Sequence, residues 1–294
     1  MDSISRIMCN KLKLRAYVVN SLETVRKVIK IHDASPNAAM ALGGAINATA
    51  LAGATLKPGT HHSVSVKFSG KGPLREVQAQ IDGKGNIRGY VSNPHPENLG
   101  TLTEVNFSKA IGAGFLTVTK DLNLKEPYVS LTPLMYGSIA SDMSYYFTSS
   151  EQVPSAMILA LEANNEGLIT ASGGILIQTF PDTPEVSISL VEESINNMPR
   201  SLGSALLSGE DINDVLKTLV GGDSIEVKSV TPLNLSCHCS KEMLHATLRG
   251  IQIDELEDMI AKDNGAEIVC SFCRTLYRFN ADELMDIIKE KTTN

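Results

Sequence analysis

The chain has 294 residues, of which 43% are hydrophobic and 20% charged, with a formal net charge of −7. These values are ordinary for a soluble globular protein, and the length supports a core that needs no covalent staples. The charge is uneven: residues 1–178 carry 16 Lys/Arg against 13 Asp/Glu (+3), residues 179–231 carry 3 against 9 (−6), and residues 232–294 carry 7 against 11 (−4). An acidic C-terminal segment argues against a nucleic-acid partner there.

The stretch from Met1 to Asn20 has no apolar run with a cleavage site, so it does not read as a secretory signal. Lys11 to Val19 reads as a strand, and Asn20 with Glu23 suggests a capping box opening a helix to about Ile31. The uncharged stretch 37–56 is the one candidate for a membrane span. Ala and Gly fill 11 of the 19 positions from Ala38 to Leu56, which predicts a closely packed buried helix instead. The chain is therefore expected to be cytoplasmic, with no membrane partner.

From His62 the pattern turns to strands: Ser63–Phe68, Leu74–Ile81, Ile87–Val91, then Leu116 to Val118 and Val129–Leu131. Asp142–Phe147 and Pro154–Leu161 read as further strands. Asn164 to Gly167 reads as a hairpin tip leading to Leu168–Ala171, with Ile175–Thr179 as the last strand. This is an α+β core over residues 1–180. Residues 181–231 read as a helical linker. Thr183-Pro184 starts one helix, with Ile188, Val191, Ile195 and Met198 on one face. Ser208 and Asp211 suggest a capping box before another, with Ile212, Val215, Leu216 and Leu219 on its face. Such short amphipathic helices must lie on something, either the core or the module that follows.

Residues 232–294 read as a small zinc-binding domain. Two short helices, Lys241–Leu248 and Asp254–Lys262, precede a hairpin of Glu267–Val269 and Leu276–Phe279. Asn280 with Glu283 caps a final helix to about Lys291. Four of the five cysteines fall in this segment, as Cys237-x-Cys239 and Cys270-x-x-Cys273. Two close pairs supply the four thiolates of a tetrahedral Zn²⁺ site, one ion per chain. The same sulfurs are what an oxidant would attack, so a structural staple and a redox switch are both open. His238 lies between two ligands and cannot easily bind the same ion, and His245 is not needed to complete the shell. Cys9 reads as a buried, inert thiol, and His61-His62 as a solvated loop. No nucleophile elbow or nucleotide-binding loop is present, and no carboxylate spacing suggests acid–base work, so no enzyme is expected.

The cysteine spacing, with 30 residues between the pairs and Tyr277 and Phe279 after the second, resembles the zinc module of the heat shock protein 33 family of redox-regulated chaperones. The likeness extends through the core. It includes Gly70-x-Gly72-Pro73, Arg88-Gly89-Tyr90-Val91, Leu116-x-Val118-x-Lys120-Asp121 and Gly137-x-Ile139-Ala140-x-Asp142. It also includes Ser150-Glu151-Gln152-x-Pro154-Ser155-Ala156 and Gly173-Gly174-x-Leu176-Ile177-Gln178. Lys71 departs from the acidic residue common in its turn. The resemblance implies an ATP-independent holdase for unfolded client proteins, zinc-bound and inactive when reduced, and a homodimer when oxidised. It further implies activation by disulfide formation with zinc release, the expected pairs being Cys237–Cys239 and Cys270–Cys273. Two other readings stand beside it: a zinc protein associated with nucleic acid, which the acidic module disfavours, and a thiol–disulfide oxidoreductase.

Overall fold

Strand β1 (Ser3–Cys9) opens the chain and pairs antiparallel with β2 (Leu14–Asn20). The sequence reading had a single strand from Lys11. It missed β1 because polar Ser3, Ser5 and Arg6 interrupt the apolar signal, and Arg6 is committed inward. Its guanidinium donates to the Ala54 carbonyl at 2.9 Å and to Thr231 Oγ1 at 2.9 Å. Helix α1 (Leu22–His32) starts one residue later than expected, at Ser21, and the Asn20–Glu23 box does not form. The Asp2 carboxylate supplies that cap from outside the helix, accepting from the Thr24 amide at 2.6 Å and the Glu23 amide at 3.4 Å. The computed structural model describes residues 1–97, 107–222 and 225–292.

Helix α2 (Pro36–Ala54) buries 16 of its 19 residues. A helix apolar on every side belongs in the middle of a core. Two of its buried residues, Asn47 and Thr49, are polar. Asn47 donates to the Ala160 carbonyl at 3.2 Å and to Ser172 Oγ at 3.0 Å, and accepts from Ser21 Oγ at 2.5 Å. A buried amide satisfied on three sides fixes α2 against α1 and the sheet that carries Ser172.

The strands that follow are β3 (Ser63–Gly70), β4 (Glu76–Asp82) and β5 (Asn86–Val91). After the short helix α3 (Phe107–Ile111) come β6 (Gly114–Asp121) and β7 (Tyr128–Pro133). The segment Asp142–Phe147 is not a strand but part of helix α4 (Ile139–Ser149). Ser138 caps it, and the buried Asp142 carboxylate accepts from the Met135 and Tyr136 amides, each at 3.0 Å. Its aromatic residues Tyr145, Tyr146 and Phe147 favour a strand, but this capping chemistry decides for helix. Strand β8 (Ser155–Ala163) pairs with β9 (Ile169–Thr179), a single strand where two short ones were expected.

Residues 181–231 fold on the core. Helices α5 (Glu185–Asn196), α6 (Leu202–Leu207) and α7 (Ile212–Leu219) bury Val191, Leu202, Ile212, Leu216 and Leu219 in one cluster with Ile7, Cys9, Leu14, Ala16, Ile175 and Ile177. Asp211 caps α7, accepting from the Asn213 amide at 2.8 Å, while Ser208 ends α6 instead. The chain then forms β10 (Ile225–Pro232) and β11 (Asn234–Leu235), neither of which was anticipated. Strand β10 zips antiparallel onto β1, and β11 adds parallel to β5.

The result is a five-stranded sheet, β10-β1-β2-β9-β8, and a six-stranded sheet, β11-β5-β4-β3-β6-β7. Helix α2 packs on strands of both. The segment from Ile225 to Leu235 therefore crosses from the edge of one sheet to the edge of the other. Gly85 makes room for it: a Cβ there would lie 2.1 Å from the Pro232 carbonyl oxygen, and φ is +87°. The first compact unit is Met1–Ser236 and the second Cys237–Asn294.

Several family-like motifs prove to be fasteners of this unit. Gln178 donates to Ser155 Oγ at 2.9 Å across β9 and β8. Glu151 lies 2.7 Å from Lys120 Nζ and accepts from the Tyr146 hydroxyl. Burial alone would raise the Glu151 pKa, but Lys120 and Tyr146 outweigh it and hold the carboxyl below the usual range. A depressed carboxylate contributes stability above its unfolded pKa and loses it as pH falls through the folded value. Urea midpoints of the natural protein should therefore drop more steeply than those of Glu151→Gln between about pH 5 and about pH 3. Parallel curves would assign the ion pair no role in acid stability.

Candidate metal centre

The second unit has little to fold around. Its buried apolar residues among those described are Leu248, Leu256, Phe279, Leu284, Ile287 and Ile288. Six such side chains are too few to order a module of this size unaided. The local signals are strong, however. Ser240 caps helix α8 (Lys241–Leu248) directly after Cys239, accepting from the Met243 amide at 3.2 Å. Helix α9 (Ile253–Asp263) leads into the antiparallel hairpin β12 (Gly265–Val269) and β13 (Leu276–Asn280). Asn280 and Glu283 form a reciprocal cap on α10 (Ala281–Thr292), with bonds of 2.9 and 3.0 Å. Lys241 ties α8 to this cap, 2.6 Å from Glu283 Oε1, and stands 5.0 Å above the Phe279 ring.

Cys270 and Cys273 lie in the turn between β12 and β13. The Cys270 amide donates to the Thr275 carbonyl at 3.0 Å, and Arg274, at φ 60°, donates its amide to the Cys270 carbonyl at 2.9 Å. This tight turn aims both thiols the same way, toward Cys237 and Cys239 on the segment before α8. All four sulfurs lie within 4.8 Å of one another. Cys237 Sγ is 3.8 Å from Cys270 Sγ, and Cys239 Sγ is 3.3 Å from Cys273 Sγ. Tetrahedral Zn²⁺ with bonds of about 2.3 Å has sulfur–sulfur edges of about 3.8 Å, so the donor set and its dimensions fit that ion.

The electrostatics point the same way. At Cys273 burial works to raise the pKa. Hydrogen bonds from Thr275 and from the Cys239 and Cys270 thiols overcome it and leave the group at about 6. Cys239 goes the other way. Burial and bonding to the other three sulfurs push it to about 12, against the Tyr277 hydroxyl. Burial also raises Cys270. The cluster thus gives up a first proton readily and resists losing the rest, because each further thiolate faces one already formed. A divalent cation among the sulfurs removes that resistance.

Outside the cluster the other candidates fall away. His238 is exposed. His245 faces Glu290, with 3.9 Å between Nε2 and Oε1. Cys9 is 3% exposed, and burial pushes its thiol up to about 11. His61 Nε2 lies 3.4 Å from Lys84 Nζ, an unfavourable place for a metal. Among the described residues no other group of His, Cys, Asp and Glu gathers around a point, and no helix is long and apolar enough to cross a membrane. Thr275 escaped the sequence reading, and Tyr277 entered it only as an aromatic after the second pair. A hydroxyl just before a short strand and another within it give no signal until the hairpin is folded.

A sequence model of the Hsp33 protein family matches residues 2–280. The chain belongs to the Hsp33 family. The 33 kDa chaperonin of Enterococcus faecalis is 35% identical over 295 residues, covering 100% of this chain and 98% of that protein. The 33 kDa chaperonin of Oceanobacillus iheyensis is 35% identical over 288 residues, 97% of this chain and 99% of that protein. The crystal structure of the 33 kDa chaperonin (heat shock protein 33 homolog) of Thermotoga maritima superposes with a TM-score of 0.87 at 32% identity, covering 100% of this chain and 99% of that one. The α+β fold with a C-terminal four-cysteine module is thus the Hsp33 fold.

A four-sulfur site in this Hsp33 chain predicts a spectroscopic signature. Co²⁺ added to the reduced, metal-free protein should give intense thiolate-to-metal charge-transfer bands and tetrahedral ligand-field bands. Cys273→Ser should weaken the first set. Octahedral bands without charge transfer would mean that the sulfurs do not converge on the ion.

Proposed function

We propose that this chain is a redox-regulated, ATP-independent holdase, not an enzyme, that binds unfolded proteins under oxidative stress. The carrying observation is the pairing, in one Hsp33-family chain, of a four-thiol module too small to fold unaided with an adjoining segment whose apolar faces are buried. We read residues 1–180 as the core, 181–231 as the regulatory linker and 232–294 as the switch. Cys237, Cys239, Cys270 and Cys273 would hold one Zn²⁺ per chain, which when bound neutralises the thiolates and joins the two cysteine pairs. Binding free energy at such sites is folding free energy, on the order of 10 kcal/mol or more.

Oxidation acts on the same atoms. Two thiols and one hydrogen peroxide give one disulfide and two waters, so each pair loses two electrons and two protons. We expect Cys237 to pair with Cys239 and Cys270 with Cys273, since partners across the 30-residue spacer meet only while the module is folded. With the donors consumed, the module loses its fold and the linker loses its restraint. Ile212, Val215 and Leu219 are 1, 7 and 2% exposed, so α7 must leave the sheet before a client can use its apolar face. The active form is expected to be a homodimer in the cytoplasm, with unfolded polypeptide as partner and neither nucleic acid nor membrane.

Light scattering of a chemically unfolded client diluted into buffer tests this. Reduced, zinc-loaded protein should suppress aggregation weakly and peroxide-treated protein strongly, both without nucleotide. Mass mapping should find neighbour-pair disulfides. The full-length Cys270→Ser/Cys273→Ser variant should be active without oxidant. Equal activity in both redox states would reduce the cluster to a structural staple. Turnover of dithiol substrates would favour an oxidoreductase.

A further inference from the structure

The hydroxyls of Thr275 and Tyr277 touch the sulfur cluster, and they touch different halves of it. Thr275 Oγ1 is 3.2 Å from Cys273 Sγ and serves the C-x-x-C half. Tyr277 reaches the other half from strand β13. Its hydroxyl is 3.1 Å from Cys239 Sγ and 3.0 Å from the Cys239 carbonyl oxygen, to which it donates. The phenol ring is held in place by the hairpin, opposite Ile268 in register and against the Phe279 cluster. Residues 38 apart in sequence are thereby tied together at the metal-facing atom itself.

This contact has a direction. The phenol has one proton: while Cys239 is a thiol it goes to the carbonyl and the S–H can donate to the phenol oxygen, and when Cys239 is a thiolate the O–H is shared between the sulfur and the carbonyl. A donated hydrogen bond occupies a sulfur lone pair and lowers its nucleophilicity. The bond to the carbonyl fixes the backbone of Cys239, so the sulfur is oriented before an ion arrives. Cys237 and Cys239 lack the tight turn that orients Cys270 and Cys273, and an external anchor matters more to them.

We infer that Tyr277 is a positioning residue that holds the Cys237–Cys239 segment in ligating geometry and shields the Cys239 sulfur, setting how readily this pair oxidises independently of Cys270 and Cys273. The consequence for oxidation rests on the redox reading above; the consequence for metal affinity does not. With hydrogen peroxide as oxidant, a thiolate sulfur attacks one peroxide oxygen and the O–O bond breaks. A sulfenic acid forms and the other oxygen leaves as water after taking up a proton. The neighbouring thiol then displaces water from the sulfenic acid to close the disulfide. Tyr277 opposes the first step at Cys239.

Full-length Tyr277→Phe and Thr275→Val separate the two halves, and Phe keeps the ring that packs the hairpin. Zinc affinity is read by competition with a chromophoric chelator under reducing conditions. Oxidation of each cysteine is read by differential alkylation and mass spectrometry during hydrogen peroxide treatment. Tyr277→Phe should lower zinc affinity about tenfold and speed loss of the Cys237 and Cys239 thiols by about as much, with Cys270 and Cys273 within about twofold of the natural protein. Thr275→Val should show the reverse preference. Unchanged affinity and rates in Tyr277→Phe would overturn the inference. So would equal acceleration of all four cysteines, since that is general loosening. If the natural protein forms no disulfides with peroxide, the redox reading fails, and the affinity measurement alone decides the role of Tyr277.

Discussion

Four thiols confined within 4.8 Å cannot all ionise together in the absence of a cation. This constraint governs the C-terminal unit. Its helices are well capped and its hairpin is in register, yet caps and short-range pairing contribute only about 1 kcal/mol each. They specify the arrangement without being able to hold it. An ion held by the four sulfurs would supply the missing term, on the order of 10 kcal/mol or more at structural zinc sites, and under the proposed function it is a term that oxidation can remove.

The first unit shows the opposite balance. Helix α2 is apolar on nearly every face and contacts both sheets, and the amide of its buried Asn47 is satisfied by Ser21, Ala160 and Ser172. Burying a Leu or Ile contributes roughly 1.5–3 kcal/mol, and this core contains dozens of apolar side chains. The linker helices are intermediate. Leu202, Ile212, Leu216 and Leu219 are buried against the five-stranded sheet, but half of the other positions of α5–α7 are exposed. Such a layer is stable only while its single apolar face stays in place, and lies at the low end of local stability within its unit.

Covalent continuity makes this layer a suitable relay. The chain leaves α7, forms β10 on β1 and β11 on β5, and reaches Cys237 two residues later. Arg6 reinforces the path, since one guanidinium binds both the end of α2 and Thr231 on β10. Both strands are edge additions, held on one side only. Strands held on one side can be removed without breaking the sheets beneath, so their loss need not unfold the core.

The sequence was legible where a physical rule acts locally. Cys237, Cys239, Cys270 and Cys273 stand out because metal ligation demands close pairs, and the Asn280–Glu283 box because its two bonds close over three residues. Strands β3 to β6 follow from alternation and from Gly-rich turns. Legibility failed where a distant partner decides. Strand β1 depends on a buried use for Arg6, the start of α1 on a carboxylate from Asp2, and α4 on Asp142 turning back to two loop amides. Strand β10 has five of its eight residues exposed and exists because β1 offers an edge. Tyr277 belongs to the same class. Its role is set by a hydroxyl 3.1 Å from a sulfur that lies 38 residues earlier in the chain. The cysteine spacing marks a site able to hold a metal ion; the hydroxyl contacts around its sulfurs exist only once the hairpin is folded.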